Sequence, residues 1–491
     1  MAAKEIEPAL KQITLKIDGQ EVTAKDGATI LDVAKSICIN IPTLCYHKAL
    51  SPFGSCRICS VEIIDKRGRS RIVTSCNYPV EEGLVVNTKS EKTIKVRKLL
   101  LDLLLSRAPK VQKIKDLALE YGIEKPSFWT QDEDEDCILC GLCTRVCDEL
   151  VGVNAIDFAK RGVEREVTTP YNIFSNDCIG CGACATICPT KSKRTRAHNY
   201  PTLEEEGKKI NQQFLKGNYD ETIGVYSQIT AAKSSIAGQD GGVATSLLVS
   251  GMQAGIFDTA VVVQRTEGYQ AEATVVENVT DIIKAKSTKY LRVKMLWLLN
   301  DLIEKGKRKI AVVGTPCEVR AARKIQQVLL TKYPDLQLTI VGLFCFEAFD
   351  YDRLKIAVQK QMGIDLDKVE KTQIHKGKFI AIVEGKEYAV AVKDLGAAQE
   401  HGCNFCDDFS NKYADISVGS VGSPEGYSTV IVRSDVGEKL MENMQLTKVE
   451  ASKDEIIKLA TLKQNRAKKN FAKIIQPEAP LQAPAPTPKA Q

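Results

Sequence analysis

Residues 137–147 read CILCGLCTRVC and residues 178–189 read CIGCGACATICP. Each run spaces four cysteines as C-x2-C-x2-C-x3-C: Cys137, Cys140, Cys143 and Cys147, then Cys178, Cys181, Cys184 and Cys188, followed by Pro189. At this spacing the first three cysteines of a run hold one 4Fe-4S cube and the fourth reaches across to the other. The expected ligand sets are therefore crossed, Cys137, Cys140, Cys143 and Cys188 for one cube and Cys178, Cys181, Cys184 and Cys147 for the other. Gly141, Gly180 and Gly182 let the backbone turn tightly round a cube and aim amides at its sulfurs. Zinc also takes four cysteines, but its sites usually come as two separated C-x2-C pairs, not as a triple with a fourth, twice over. Asp148 stands where proline often follows the fourth cysteine, and the ligand set is unaffected.

The chain around these runs has 491 residues, 44% of them hydrophobic, enough for about three or four domains with a core each. A net charge of +6, from 68 basic and 62 acidic residues, is too small and too dispersed to point to nucleic acid. Basic runs at Lys92–Lys115 and Lys191–Arg196 read as solvated surface. Met1–Leu10 lacks a basic stretch followed by an apolar one, and nowhere do about 18 apolar residues run together, so a cytoplasmic protein with no transmembrane segment is expected. The 17 cysteines agree, because cluster thiolates need a reducing compartment. They divide into groups of four, eight and four, with one left over.

On the N-terminal side, Ile13, Leu15, Ile17 and Val22 alternate with polar residues across Asp18-Gly19, which predicts a hairpin. A short helix follows, with Ile30, Leu31, Ala34 and Ile37 on its apolar side, and Cys38 is expected to be a buried core thiol on that face. Cys45, Cys56, Cys59 and Cys76 come next, spaced C-x10-C-x2-C-x16-C, with a strand from Val61 to Ile64. This departs from the plant-type C-x4-C-x2-C spacing. With CYH at 45–47 and GSCRICSVE at 54–62, the segment instead resembles the N-terminal 2Fe-2S domain of the large iron-sulfur subunit of respiratory NADH dehydrogenase and of iron-only hydrogenases. The resemblance implies one 2Fe-2S cluster on these four cysteines; a zinc site is the alternative. KTIKVRKLLLDLLLS at 92–106 predicts a helix that Pro109 ends. The relatives carry an additional cluster on one histidine and three cysteines in the next segment. Arg107–Tyr121 has neither residue, so a helical spacer is expected there. The acidic run Asp132–Asp136 reads as a solvated loop beside Cys137.

Beyond Pro201 short apolar strands at Thr259–Gln264, Lys309–Val313 and Leu338–Val341 alternate with helical stretches at Arg292–Glu304 and Glu318–Leu329, which predicts parallel α/β structure. Gly238, Gln239, Asp240, Gly241 and Gly242 open an apolar helix, so their amides are candidates for a phosphate. Gly314, Thr315, Pro316 and Cys317 link a strand to a helix. Cys317 and Cys345 each follow a strand, where neighbouring parallel strands deliver residues to one edge, and Cys403 and Cys406 add a C-x2-C loop. Four cysteines so placed can hold a further 4Fe-4S cube. His375 and His401 read as surface residues, and no catalytic acid or base is assigned. Lys453–Ile475 reads as a charged surface helix and Pro477–Gln491 as a disordered tail.

GQDGGVATSLL at 238–248, KSTKY at 286–290, VGTPCEVRA at 313–321, GLFCFEAFDYDRL at 342–354 and CNFCDDFSNKYADISVGSVG at 403–422 together resemble the β subunit of coenzyme F420-reducing hydrogenase and related dehydrogenase subunits, over roughly residues 220–440. The resemblance implies FAD, contacted by the glycine turns and by Ser287, Thr288, Lys289 and Tyr290; a 4Fe-4S cluster on Cys317, Cys345, Cys403 and Cys406; and coenzyme F420 as substrate. The expected architecture is multidomain α/β and α+β: a β-grasp 2Fe-2S ferredoxin-like domain (11–97), a helical spacer (98–126), a bacterial-type two-cluster ferredoxin domain (127–199), an α/β flavin-binding domain with a further 4Fe-4S cluster (218–445), and a helix with a tail (446–491). Deazaflavins exchange hydride and iron-sulfur clusters take single electrons, so a flavin must stand between them. The expected function is electron relay between coenzyme F420 and a partner, either ferredoxin or another redox subunit of a heterodisulfide reductase, hydrogenase, formate dehydrogenase or similar complex, as in methanogen-type metabolism. Ferredoxin or NADH at the flavin, and a pure electron-wiring subunit, are the alternatives.

Overall fold

The computed structural model describes residues 12–169, 178, 180–192, 203–442 and 444–474. Met1–Leu10, part of Lys191–Arg196 and the tail from Pro477 lie outside them.

The first hairpin forms as expected. β1 (Gln12–Ile17) pairs with β2 (Gln20–Lys25) through Asp18 and Gly19, both at positive φ (48° and 85°), the twist that suits a two-residue hairpin loop. β3 (Ser60–Ile64), β4 (Ser70–Thr74) and β5 (Val85–Asn87) complete a five-stranded sheet in the order β2-β1-β5-β3-β4, with β5 parallel to β1. Ile13, Leu15, Ile17, Val61, Ile63 and Val86 close its core on the helix Ile30–Ser36. Thr29 caps that helix by accepting from the Asp32 amide at 3.2 Å. Cys38 departs from the expectation: it is exposed, just past the helix end at φ 60°, because the chain has already turned out of the apolar face.

The predicted spacer is two helices, Glu91–Arg107 and Gln112–Glu120, the first ending two residues before Pro109. Arg97 lies buried in this supposedly solvated stretch and donates twice to the Ser60 carbonyl. Each ferredoxin run begins a short helix, Leu142–Arg145 and Ala183–Ile187, directly after a left-handed glycine, Gly141 (φ 71°) and Gly182 (φ 76°). β6 (Asp157–Ala159) and β7 (Glu166–Thr168) form a hairpin between them. Glu135 turns inward from the acidic run and accepts from the Cys137 amide at 2.9 Å, so the run is only partly a solvated loop.

A short hairpin, β8 (Asn218–Asp220) and β9 (Gly224–Tyr226), leads into the large sheet. Its strands are β10 (Gln228–Ser234), β11 (Thr259–Arg265), β12 (Ala271–Val276), β13 (Lys309–Gly314), β14 (Gln337–Leu343), β18 (Ile416–Gly419), β19 (Ser428–Val432) and β20 (Leu446–Val449), in the order β12-β11-β13-β14-β18-β19-β10-β20. The strands between, β15 (Lys371–His375), β16 (Lys378–Val383) and β17 (Lys386–Ala391), form a separate meander. β11, β13, β14 and β18 are parallel, as the alternation of strands and helices predicts. β12 pairs antiparallel with β11 as the next strand of a tight connection, and β19 lies antiparallel between β18 and β10, with β20 antiparallel to β10 on the far edge. Successive residues bury opposite faces: Ala260, Val262, Ala311 and Val341 pack toward the helix Val243–Gln253. Val261, Ile310, Val312 and Ile340 pack toward the helices Leu296–Glu304 and Pro316–Leu329. Residues 292–295 precede their helix because Arg292 instead donates its amide to the Phe349 carbonyl at 3.1 Å.

The final helix, Lys453–Ile474, is charged and exposed on one side, as expected, but not on the other. Ile456, Ala460, Lys463, Ala467 and Ile474 are buried along one stripe. It runs from the α/β domain to the N-terminal domain, where the Ile474 carbonyl lies 3.1 Å from His47 Nε2. Among the described residues no helix is long and apolar enough to cross a membrane.

Candidate functional site

Cys45, Cys56, Cys59 and Cys76 are buried and stand as two pairs. A hydrogen bond between the Cys45 and Cys56 thiols lowers Cys45 to about 6 and raises Cys56; the bond between Cys59 and Cys76 lowers Cys59 to about 7 and raises Cys76. Two thiols side by side, twice, suit a dinuclear centre in which each iron takes two thiolates.

Arg145 joins this site to the next. It rises from the helix between Cys143 and Cys147 and is buried. Its guanidinium donates to the Cys45 carbonyl at 2.6 Å, to the Ser51 carbonyl, and through Nε to the Gly141 carbonyl at 3.2 Å.

The two ferredoxin runs interleave. Burial raises the thiols of Cys137, Cys140 (to about 12) and Cys143, and the nearby Cys188 adds to the rise in each. Burial likewise raises Cys147 (to about 11), Cys181 (to about 12) and Cys184, with Cys178 adding to all three and Cys147 to the latter two. Each fourth cysteine thus lies in the neighbourhood of the other run. The wide helical turn Val146–Leu150, in which the Val151 amide donates back to the Val146 carbonyl at 3.0 Å, carries Cys147 there. The Ala155 amide donates to the Cys147 sulfur at 3.3 Å and the Ser192 amide to the Cys188 sulfur at 3.4 Å, bonds that favour thiolates.

Cys317 and Cys345 leave the ends of the neighbouring parallel strands β13 and β14, and the loop carrying Cys403 and Cys406 closes over them. Burial pushes Cys317 to about 12 and also raises Cys345 and Cys403, and the nearby Cys406 adds to the rise in all three. Asn411, at φ 63°, holds this edge by donating to the Gly314 carbonyl at 2.9 Å. Cys317 and Cys406 share a gap of about 10 Å³ with Cys181 and Arg320. Arg320 bridges the two neighbourhoods, donating to the Gly180 carbonyl at 3.3 Å and to Asp407 at 2.9 Å.

All four of these thiols also line a cavity of about 1020 Å³. Its other walls include Gly238, Gln239, Asp240, Gly242, Ser287, Thr288, Lys289, Tyr290, Gly314, Thr315 and Pro316, which is every predicted cofactor-contacting residue except Gly241. Gly241 faces the sheet instead, its amide donating to Ser428 Oγ at 3.0 Å; a Cβ there would stand 2.3 Å from the Ala232 carbonyl. Gly242 begins the helix at φ 67°, where a Cβ would stand 1.9 Å from the Ile236 carbonyl. Lys289 is lowered to about 8 by burial and donates to the Val263 and Ala285 carbonyls, while Tyr290 is raised to about 12 by burial and accepts from the Ile374 amide at 3.0 Å. These two residues therefore shape the wall. The volume and the glycine-bounded rim fit a dinucleotide. His375 and His401 are exposed, as expected.

Sequence reasoning missed four cations along this path: Arg145, Arg320, Lys463 and Arg466. Lys463 Nζ donates to the Cys345 carbonyl at 2.6 Å, and Arg466 donates to the Phe346 and Cys403 carbonyls and pairs with Glu347 at 2.7 Å. Burial disfavours the Lys463 ammonium, but the charges of Cys406, Cys345 and Cys403 outweigh it and raise the group. Groups of buried thiolates require such compensation. Among the described residues no three Cys, His, Asp or Glu side chains are arranged to hold a single metal ion. The cluster ligand sets therefore rest on spacing and shared neighbourhoods.

Residues 226–300 and 307–456 match the family models described as coenzyme F420 hydrogenase/dehydrogenase, beta subunit N-term and C terminus. Residues 10–91 match a 2Fe-2S iron-sulfur cluster binding domain and residues 136–192 a 4Fe-4S dicluster domain. The chain is 39% identical over 257 residues to the coenzyme F420-dependent sulfite reductase of Methanocaldococcus jannaschii, covering 50% of this chain and only 40% of that protein. It is 31% identical over 273 residues to the coenzyme F420 hydrogenase subunit beta of Methanothermobacter thermautotrophicus, covering 51% of this chain and 95% of that one. It is 34% identical over 237 residues to the coenzyme F420 hydrogenase subunit beta of Methanococcus voltae, covering 46% and 82%.

Proposed function

The chain belongs to the coenzyme F420 hydrogenase/dehydrogenase beta-subunit family, and from this we propose that it is an iron-sulfur flavoprotein oxidoreductase that exchanges hydride with coenzyme F420 and relays single electrons to or from a partner redox subunit or ferredoxin. One observation carries the reading: the four thiols of the C-terminal site form part of the wall of the cavity that the Gly238–Gly242 turn opens onto. FAD bound there would supply the conversion between two-electron and one-electron transfer, which no side chain can perform.

The chain's own residues do the remaining work. Gly242 and the helix Val243–Gln253 offer amides to a phosphate, and Gly314–Pro316 let a cofactor approach the ends of β13 and β14. Cys317, Cys345, Cys403 and Cys406 would hold one 4Fe-4S cluster, the crossed sets headed by Cys137 and Cys178 two more, and Cys45, Cys56, Cys59 and Cys76 a 2Fe-2S cluster. Arg320 and Arg145 tie neighbouring sites into one series running from the cavity to the N-terminal domain.

The test is separation of the two halves of the reaction. A Cys406→Ala protein that still folds and retains FAD should accept hydride from reduced coenzyme F420 yet pass few electrons to an external one-electron dye. Undiminished dye reduction at full FAD occupancy refutes the route through these cysteines.

A further inference from the structure

We propose that Lys463 sets the reduction potential of the C-terminal iron-sulfur site, holding it above the value that four buried thiolates alone would impose. The proposal rests on the reading that Cys317, Cys345, Cys403 and Cys406 hold a cluster. It goes beyond that reading by giving a role to a residue outside the cysteine motifs.

Lys463 is 1% exposed, in the middle of a 22-residue helix whose other buried positions are Ile456, Ala460, Ala467 and Ile474. Its place on that stripe would ordinarily hold an aliphatic residue, since an isolated buried ammonium is costly. Its Nζ donates to the carbonyl of Cys345 at 2.6 Å, and the residue lines the same cavity as the four thiols. Neighbouring cations are compensated by carboxylates: Arg466 pairs with Glu347 at 2.7 Å, and Arg320 with Asp407 at 2.9 Å. Asp408, a carboxylate whose charge bears on Lys463, spends its oxygens on the amides of Asn411 and Lys412, both at 2.9 Å. Lys463 forms no carboxylate ion pair among the described residues, so its charge stands against the thiolates. A cluster that gains an electron becomes more negative by one unit, and a fixed positive charge in a dry site stabilises that state. The same helix keeps the charge in place: Phe471 packs on Phe405 with ring centroids 5.3 Å apart, and Asn470 donates to the Asn404 carbonyl at 3.0 Å. Both of those contacts fall within the Cys403–Cys406 loop.

Lys463→Gln keeps a donor for the Cys345 carbonyl and removes the charge; Lys463→Met removes both, and Lys463→Arg restores a charge. Each holoprotein, prepared anaerobically, is titrated potentiometrically with the 4Fe-4S signals followed by electron paramagnetic resonance. FAD content and thermal unfolding are measured on the same samples. In Lys463→Gln one of the three 4Fe-4S midpoints should fall so that its reduced-to-oxidised ratio at fixed potential drops at least tenfold, about 59 mV for one electron. The other two should hold, and Lys463→Arg should recover most of the shift. Unchanged midpoints with a lowered unfolding temperature would mean a structural role only and overturn the proposal, as would lost FAD with unchanged midpoints. If Cys406→Ala leaves iron content unchanged, the cluster reading itself fails, and the proposal with it. Should Lys463→Met fail to fold, Lys463→Gln still decides the question.

Discussion

Replacing Arg145 by methionine removes a guanidinium that joins the N-terminal cysteine site to the first ferredoxin run. The side chain is 8% exposed and donates to three carbonyls, those of Cys45, Ser51 and Gly141. Two of these belong to the N-terminal domain and one to the turn before Cys143. Hydrogen bonds from a charged donor contribute roughly 1.5–3 kcal/mol each, and their effects overlap, so the expected loss is about 3–5 kcal/mol. Methionine fills most of the volume, which leaves unpaired carbonyls as the main cost. At roughly 2–4 °C per kcal/mol for a unit of this size, the first thermal transition should fall by about 6–20 °C. Arg145→Lys should retain only part of the docking, because a single ammonium cannot span three carbonyls as the planar fork does. The assay is thermal unfolding of the cluster-loaded protein followed through the 2Fe-2S visible signal, with paramagnetic coupling between that centre and the nearest cube as a second readout. Unchanged unfolding and unchanged coupling would refute the argument that this contact docks the two sites.

Other outcomes follow from the same geometry. Anaerobically purified protein should carry about 14 iron atoms per chain, and stoichiometric zinc with little iron in elemental analysis would contradict that. Because Cys147 lies with Cys178, Cys181 and Cys184, Cys147→Ala should damage that cube more than the one headed by Cys137, and Cys188→Ala the reverse; paramagnetic spectra that lose the sequence-local cube in each variant would show the crossing to be wrong. Gly242→Ala forces a side chain onto φ 67° and against the Ile236 carbonyl, so FAD affinity measured by equilibrium titration should fall at least tenfold, about 1.4 kcal/mol.

The elements that can be read in advance are those whose signal is local. The Asp18-Gly19 hairpin, the leucine-rich helix ended by Pro109, and the strands that deliver Cys317 and Cys345 each rest on a few adjacent residues. The outer strands of the meander β15–β17 escape such reading because KTQIH and KEYAVA mix polar and charged residues with apolar ones; FIAIV in the middle strand is a local apolar run that does carry the signal. Continuing the first helix one turn too far puts Cys38 in the core, where it does not belong. The final helix misleads for a different reason: its many lysines and arginines suggest solvent, whereas the spacing of 456, 460, 463 and 467 is that of a buried stripe with a lysine set in it. A charged residue interrupting such a stripe is the available signal. Arg145 and Arg320 sit within cysteine motifs, but what they bridge depends on which domains meet, and that information is not local.

In the proposed function, FAD bound in the cavity beside Cys317, Cys345, Cys403 and Cys406 takes hydride from a deazaflavin and passes electrons on singly. Adding reduced coenzyme F420 to the anaerobic, FAD-loaded protein in a stopped-flow spectrophotometer tests it most directly. Flavin absorbance should bleach first, and iron-sulfur absorbance should fall afterwards. Ready reduction by NADH or reduced ferredoxin, with none by reduced coenzyme F420, would contradict the claim.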